Sequence, residues 1–194
     1  METEQRIVRY VDMIMRASEE EDMKVEGYAL KFDRETVIGG KWGWREKIAR
    51  TALDGAELNN VVFNFNHSFD SVLARTTNQS LQLSVDSIGL KVAAGIVDTS
   101  IGRDVFKLIK DGLVTQMSFQ AVVKKSKWTF VEDGSDELDL REITEFGRFF
   151  DVSAVTLPAY EDTTISARSE ELVYRQRQLF ERQIQKLNQI LGGK

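Results

Sequence analysis

Between Leu81 and Val123 the hydrophobic period of the chain changes twice, and this stretch constrains the fold more than any other. LQLSV and LKVAAGIV flank Asp86-Ser87-Ile88-Gly89 and read as two strands joined by a polar turn. SIGRDVFKLIKDG then switches to helical spacing. Thr99 or Ser100 supplies an N-cap, and Ile101, Val105, Leu108 and Ile109 share a face. Lys107 and Lys110 sit in the last turns, where cations suit the helix dipole, and Gly112 ends the helix. Leu113 to Val123, LVTQMSFQAVV, returns to a strand pattern.

The flanking segments extend the same theme. Within Arg6 to Arg16, Ile7 to Val11 is rich in β-branched and aromatic residues, although Ile7, Tyr10, Val11 and Ile14 also share a helical face. A strand is preferred, because Glu19 to Asp22 then forms a charged turn leading to a partner strand, Val25 to Phe32. Gly27 inside that strand suggests a bulge or a close backbone approach. Asp33 to Gly43 reads as a loop beside Trp42 and Trp44, which form either an exposed binding lip or a lid folded onto the core. Glu46 to Leu53, EKIARTAL, reads as a short helix, and Val61 to Phe65 as a strand ending near His67.

Lys124 to Asp139 is charged, contains Asp133-Gly134, and reads as an exposed loop or hairpin tip. Leu140 to Ile143 and Arg148 to Leu157 follow as strands, the second ending at Pro158. From Ser169 to Leu191 a stripe of Leu172, Leu179 and Leu187, widened by Val173, Phe180, Ile184 and Ile190, predicts an amphipathic helix that must bury against the domain or another chain. The expected architecture is mainly β with helices: an antiparallel sheet or barrel with helices around it, plus a C-terminal helix. Residues 1–168 form one domain and 169–194 the helical appendage.

Composition narrows the chemistry. The 194 residues contain no cysteine and one histidine, His67, so thiol catalysis and thiolate metal sites are excluded. The net charge is −5, with no basic block to recommend a nucleic-acid surface. No apolar run approaches the ~20 residues of a membrane span, and METEQRIVRY does not read as a signal peptide. The expected setting is therefore cytosolic. Phosphate-loop, dinucleotide and nucleophile-elbow motifs are absent. Paired carboxylates remain open, although nothing marks one pair among the 31 acids, and beside them stands a hydroxyl nucleophile activated by a base. Ser118 is the candidate nucleophile, His67 the base, and Asp151 the group that orients the imidazole. Asp151 follows Phe149 and precedes Ser153 on one face of an alternating strand. It has two other candidate partners, Arg148 and Arg141, and a lone histidine at a strand end is also compatible with a packing role.

At these residues the chain resembles the HK97-type prohead maturation proteases of tailed bacteriophages, a family related in fold to the herpesvirus assemblins. The resemblance runs from about Val25 to Ile165. It rests on VEGYALKFD, EKIARTAL, FNFNH, the run from LQLSVDSIGLKVAAGIV to MSFQ, and FFDVSAVTLPAYEDTTI, in that order. It implies a herpesvirus-protease-like barrel and places the family histidine on His67, the serine on Ser118 and the acidic third member on Asp151, with Glu145 as the alternative. Many relatives carry Glu where Asp151 stands. Arg75 falls where relatives often carry a Gly-Arg, here Ala74-Arg75. The implied activity is serine endopeptidase cleavage of scaffolding protein, or of the scaffolding segment of the major capsid protein, and of the protease itself. It would act inside the assembling prohead in the host cytoplasm, without a cofactor and as a homo-oligomer, most simply a dimer. The rival expectation is a non-enzymatic capsid-assembly or binding module with the same fold.

Overall fold

The computed structural model describes residues 5–11, 16–17, 22–40, 43–131 and 137–156. In chain order the elements are β1 (Gln5–Val11), β2 (Arg16–Ala17), β3 (Lys24–Lys31), β4 (Thr36–Ile38), β5 (Trp44–Ile48), β6 (Val62–Phe65), β7 (Ser68–Arg75), β8 (Leu81–Val85), β9 (Gly89–Gly95), α1 (Ser100–Lys110), β10 (Gln116–Thr129) and β11 (Leu140–Val155). Among the described residues they form two sheets. The larger runs β1-β10-β11-β5-β4, with β6 and β7 joined to it through β11, and the smaller runs β2-β3-β9-β8.

Local chemistry explains the clearest elements. In the β8–β9 hairpin Asp86 turns the chain by accepting from the backbone N–H groups of Ile88 (2.7 Å) and Gly89 (3.1 Å). Gly89 is obligatory on steric grounds, because a Cβ there would lie 2.0 Å from the Leu30 carbonyl oxygen. Thr99 caps α1 by accepting from the Gly102 N–H at 3.0 Å. Past the helix, Gly112 takes φ +73, the left-handed conformation that closes a helix. The inward face of α1, Val105, Phe106 and Ile109, joins one buried cluster with Leu30, Leu90 and Val92 of the smaller sheet and Phe119, Phe146 and Phe149 of the larger. These three phenylalanines pack with centroids 5.2–5.7 Å apart.

Several expectations change. No closed barrel is found among the described residues. The larger sheet is mixed, since β11 pairs in parallel with both β5 and β6. The two C-terminal strands are one sixteen-residue strand, β11, and β10 continues through Lys124 to Thr129 rather than giving way to a loop. β1 is a strand, but its partner is β10; β3 pairs instead with β2 and β9. The irregularity of β3 falls between Tyr28 and Leu30, just beyond Gly27. Trp42, Pro158 and the predicted helix at 169–191, with the boundary at 168, lie outside the described residues. Trp44 is buried and stacks edge-on against Trp128, so it is not an exposed lip.

The segment EKIARTAL is not helical. Its first residues belong to β5, where Trp44, Glu46 and Ile48 are buried and Arg45 and Lys47 are half-exposed. A charged residue at an inward position hides the strand alternation from sequence. Its presence is explained by two guanidiniums: Glu46 receives Arg9 Nη2 at 3.1 Å and Arg141 Nη1 at 3.2 Å, with Arg9 Nε at 2.5 Å. Burial opposes the Glu46 charge, but Arg9 and Arg141 outweigh it and hold the carboxyl below its ordinary value of 4.5. The contribution of Glu46 to stability is therefore complete above pH 4.5 and is lost as pH falls through the lower folded value. Glu46→Ala, which removes the carboxylate shared by both arginines, is expected to cost about 3–5 kcal/mol in urea denaturation. Glu46→Gln should flatten the acid limb of the stability–pH curve, and an unchanged limb would exclude this ion cluster as its source.

Candidate active site

The site is assembled where a hairpin tip meets two neighbouring strands. Phe65 pairs with Ser68, so β6 and β7 are joined by only two residues, Asn66 and His67. Both have positive φ, 51 and 58, the pattern of the tight turn that matches strand twist. Asparagine and histidine tolerate this conformation better than most residues, yet it remains strained for any side chain with a Cβ. The strain is held by ties to β11. Asn66 N–H donates to the Ala154 carbonyl (2.9 Å), and His67 N–H donates to Ser153 Oγ (3.0 Å). Ser153 Oγ lies 3.2 Å from the Asn64 carbonyl oxygen, so the same hydroxyl also binds β6.

Strand register brings the other two side chains to the histidine. Ser118 on β10 stands opposite Ser153 on β11, and Ser153 opposite Asn64 on β6. Two residues further, Gln120 faces Asp151, while the next residue, Ala121, faces Phe149. A single step on β10 thus spans two on β11, a β-bulge. Regular alternation would have left Phe149 and Asp151 on one face. With the bulge, Phe149 packs in the core and Asp151 turns to the histidine. His67 Nδ1 lies 2.7 Å from Asp151 Oδ1, and Nε2 lies 2.6 Å from Ser118 Oγ.

The electrostatics follow from burial. Asp151 and Ser118 are 0% exposed, and the His67 side chain retains 15%. A buried carboxylate accepts and cannot donate, so Nδ1 carries a proton toward Asp151 and Nε2 is left to accept from the serine. Such an arrangement can draw the proton from Ser118 and stabilise the resulting imidazolium. Ser118 Oγ is also 2.8 Å from the Arg9 carbonyl oxygen, a second acceptor for the same proton.

The structure thus brings His67, Ser118 and Asp151 together and leaves the alternatives elsewhere. Glu145 pairs with Lys125, Arg148 lies over the Phe150 ring, and Arg141 binds Glu46. Arg75 donates to Asn60 Oδ1 at 2.8 and 3.1 Å. Ser153, which fixes the His67 backbone, was missed, although it sits in the same DVS segment as Asp151. The Arg9 carbonyl was missed because a backbone group leaves no mark in sequence. Among the described residues no cluster of His, Asp and Glu could hold a metal ion, and no helix is long and apolar enough to cross a membrane.

The turn strain gives a test independent of activity. His67→Gly and His67→Ala both delete the imidazole, but only glycine relaxes at φ +58. The glycine variant should be more stable than the alanine variant by about 1 kcal/mol in urea melts. Equal midpoints would mean that the turn is not strained.

Comparison with known proteins now adds to the geometry. The family model described as caudovirus prohead serine protease matches residues 11–177. No curated protein matches the chain. Among solved structures, the bacteriophage T4 capsid assembly protease gp21 is similar with a TM-score of 0.50 and 12% sequence identity, over 80% of this chain and 99% of that one. At that identity the likeness concerns the fold alone. The family match spans most of the sequence, every strand from β2 to β11 and every residue of the histidine–serine–aspartate cluster, and the chain belongs to the caudovirus prohead serine protease family.

Proposed function

We propose that this chain is a serine endopeptidase of phage head maturation in which Ser118 is the nucleophile, His67 the general base and Asp151 the residue that orients and stabilises the imidazolium. The observation that carries the reading is the continuous chain from Ser118 Oγ to His67 Nε2 (2.6 Å) and from Nδ1 to Asp151 Oδ1 (2.7 Å), in a family of serine proteases. Ser118 Oγ attacks the substrate carbonyl as His67 takes its proton. His67 then returns the proton to the leaving amine, and water repeats the cycle on the acyl-enzyme. Asp151 does not change protonation state. The shorter aspartate reaches the histidine because the β11 bulge turns it there.

The family supports a substrate class, which we propose to be scaffolding protein or the scaffolding segment of the major capsid protein, and the protease itself, inside the assembling prohead in the host cytoplasm. Self-association through residues 169–194 belongs to the same proposal. The non-enzymatic reading gains nothing from Trp44, which is buried in the sheet.

Fluorophosphonate labelling read by intact mass tests the mechanism. A single adduct mapped to Ser118 is expected, absent from Ser118→Ala and His67→Ala, and forming about 10³–10⁴-fold more slowly in Asp151→Asn. No adduct in the purified chain and none in assembling shells would overturn the assignment.

A further inference from the structure

The larger sheet has a second buried face. Val152 and Ala154 of β11 belong to the main apolar cluster, as do Met117 and Phe119 of β10 and Phe63 of β6. Strand alternation turns their neighbours Ser118, Asp151, Ser153 and Asn64 to the opposite side. Val62 and Val155, also on that side, are buried but stand outside the main cluster.

Asn64 is the anomaly of this face. It is 0% exposed, and neither its Oδ1 nor its Nδ2 has a hydrogen-bond partner among the described residues. A buried amide in this state carries a desolvation penalty that an apolar side chain of similar volume would not. Nor can the residue swing away. Asn64 pairs with Ser153 of β11 on one side and Val72 of β7 on the other, and its carbonyl accepts from the Ser153 hydroxyl at 3.2 Å.

Asp151 supplies the complement. Its Oδ1 is taken by His67, while Oδ2 is buried with no hydrogen-bond partner among the described residues. Asp151 stands opposite Val62 and Asn64 opposite Ser153, so Asp151 and Asn64 are diagonal neighbours on adjacent strands. Diagonal neighbours on one sheet face lie about 7–8 Å apart, a span that two short side chains close with one water between them. The chemistry matches as well. The amide nitrogen only donates, the carboxylate oxygen only accepts, and a water does both. Buried waters settle where at least two such groups converge.

We propose that Asn64 and Asp151 bound an internal water site, and that Asn64 is a positioning residue of the histidine–serine–aspartate cluster. The water accepts from Asn64 Nδ2–H and donates to Asp151 Oδ2. That bond fixes the carboxylate about its last torsion, with Oδ1 facing the Nδ1–H of His67. A water dipole orients the carboxylate without neutralising it, so the negative charge stays available to an imidazolium. The hold on the imidazole stands on register and burial. That it speeds attack by Ser118 rests on the catalytic assignment proposed above.

The chain has one histidine, so ¹⁵N-histidine labelling gives a single imidazole to follow by NMR. In the unmodified full chain, the side-chain amide protons of Asn64 are expected to show an NOE to a long-lived water, and the His67 Nδ1–H a slowly exchanging, far-downfield signal. Asn64→Val and Asn64→Thr then separate polarity from packing, because the two side chains have the same shape, both suit a strand, and only threonine can hold the water. Asn64→Val should lose the downfield signal and slow the maximal rate of fluorophosphonate labelling by roughly tenfold or more, with the half-saturating probe concentration unchanged. Asn64→Thr should keep the signal and label close to the unmodified rate. Three results overturn the proposal: no water contact at the Asn64 amide, a valine variant that keeps either the signal or the labelling rate, or equal losses in the valine and threonine variants. The first is read on the unmodified chain and decides the matter even where Asn64→Val does not fold. If no protein labels at all while the water contact persists and the imidazole signal is lost only in Asn64→Val, the positioning site stands and Ser118 falls as nucleophile.

Discussion

The pairing of β11 with β10 on one side and β6 on the other governs the molecule. That double pairing aligns Ser118, Ser153 and Asn64 in one row across three strands and puts Asp151 two residues along. Because β6 is short and parallel to β11, its tip projects His67 back over the row. The irregularity opposite Gln120 and Ala121 shapes both core and site: without the extra residue in β11, Phe149 and Asp151 would share one face. The core phenylalanines and the acidic group of the site thus depend on the same bulge.

Buried charge appears in two forms. Arg9, Glu46 and Arg141 form a cluster that links β1, β5 and β11, two guanidiniums sharing one carboxylate in a geometry that hydrophobic packing alone would not specify. Asp151 is held differently. Its Oδ1 binds the His67 ring, while Oδ2 has no hydrogen-bond partner among the described residues. A carboxylate with a free buried oxygen favours a cation beside it, the condition that an imidazolium in a transition state would satisfy. The first cluster fixes a strand, and the second leaves one buried carboxylate oxygen unmatched beside the imidazole. The same division shows in the backbone, where strain gathers at Asn66 and His67, the residues that aim the imidazole.

Much was legible in sequence where the signal is local. The β8–β9 turn follows from Asp86 and Gly89, and the helix from a Thr99 cap, a four-residue apolar face and Gly112, because each depends on neighbours within a few positions. His67 stood out by being unique, and Ser118 and Asp151 by their place in motifs. The reading of EKIARTAL failed because Glu46 owes its inward position to Arg9 and Arg141, residues distant in the chain. The reading of β3 as the partner of β1 failed because adjacency in sequence is a prior and not a force.

Sequence by itself therefore determined the elements that rest on local signals, the β8–β9 hairpin and α1, together with the absence of thiol chemistry and the identity of the residues worth watching. Only the tertiary structure decided that three side chains spread over 85 positions meet within hydrogen-bond distance, since strand register, a bulge and a two-residue turn jointly set those distances. It alone decided that β1 lies against Ser118. The contact is made by a backbone carbonyl, a group every residue carries, so no side-chain pattern could have announced it.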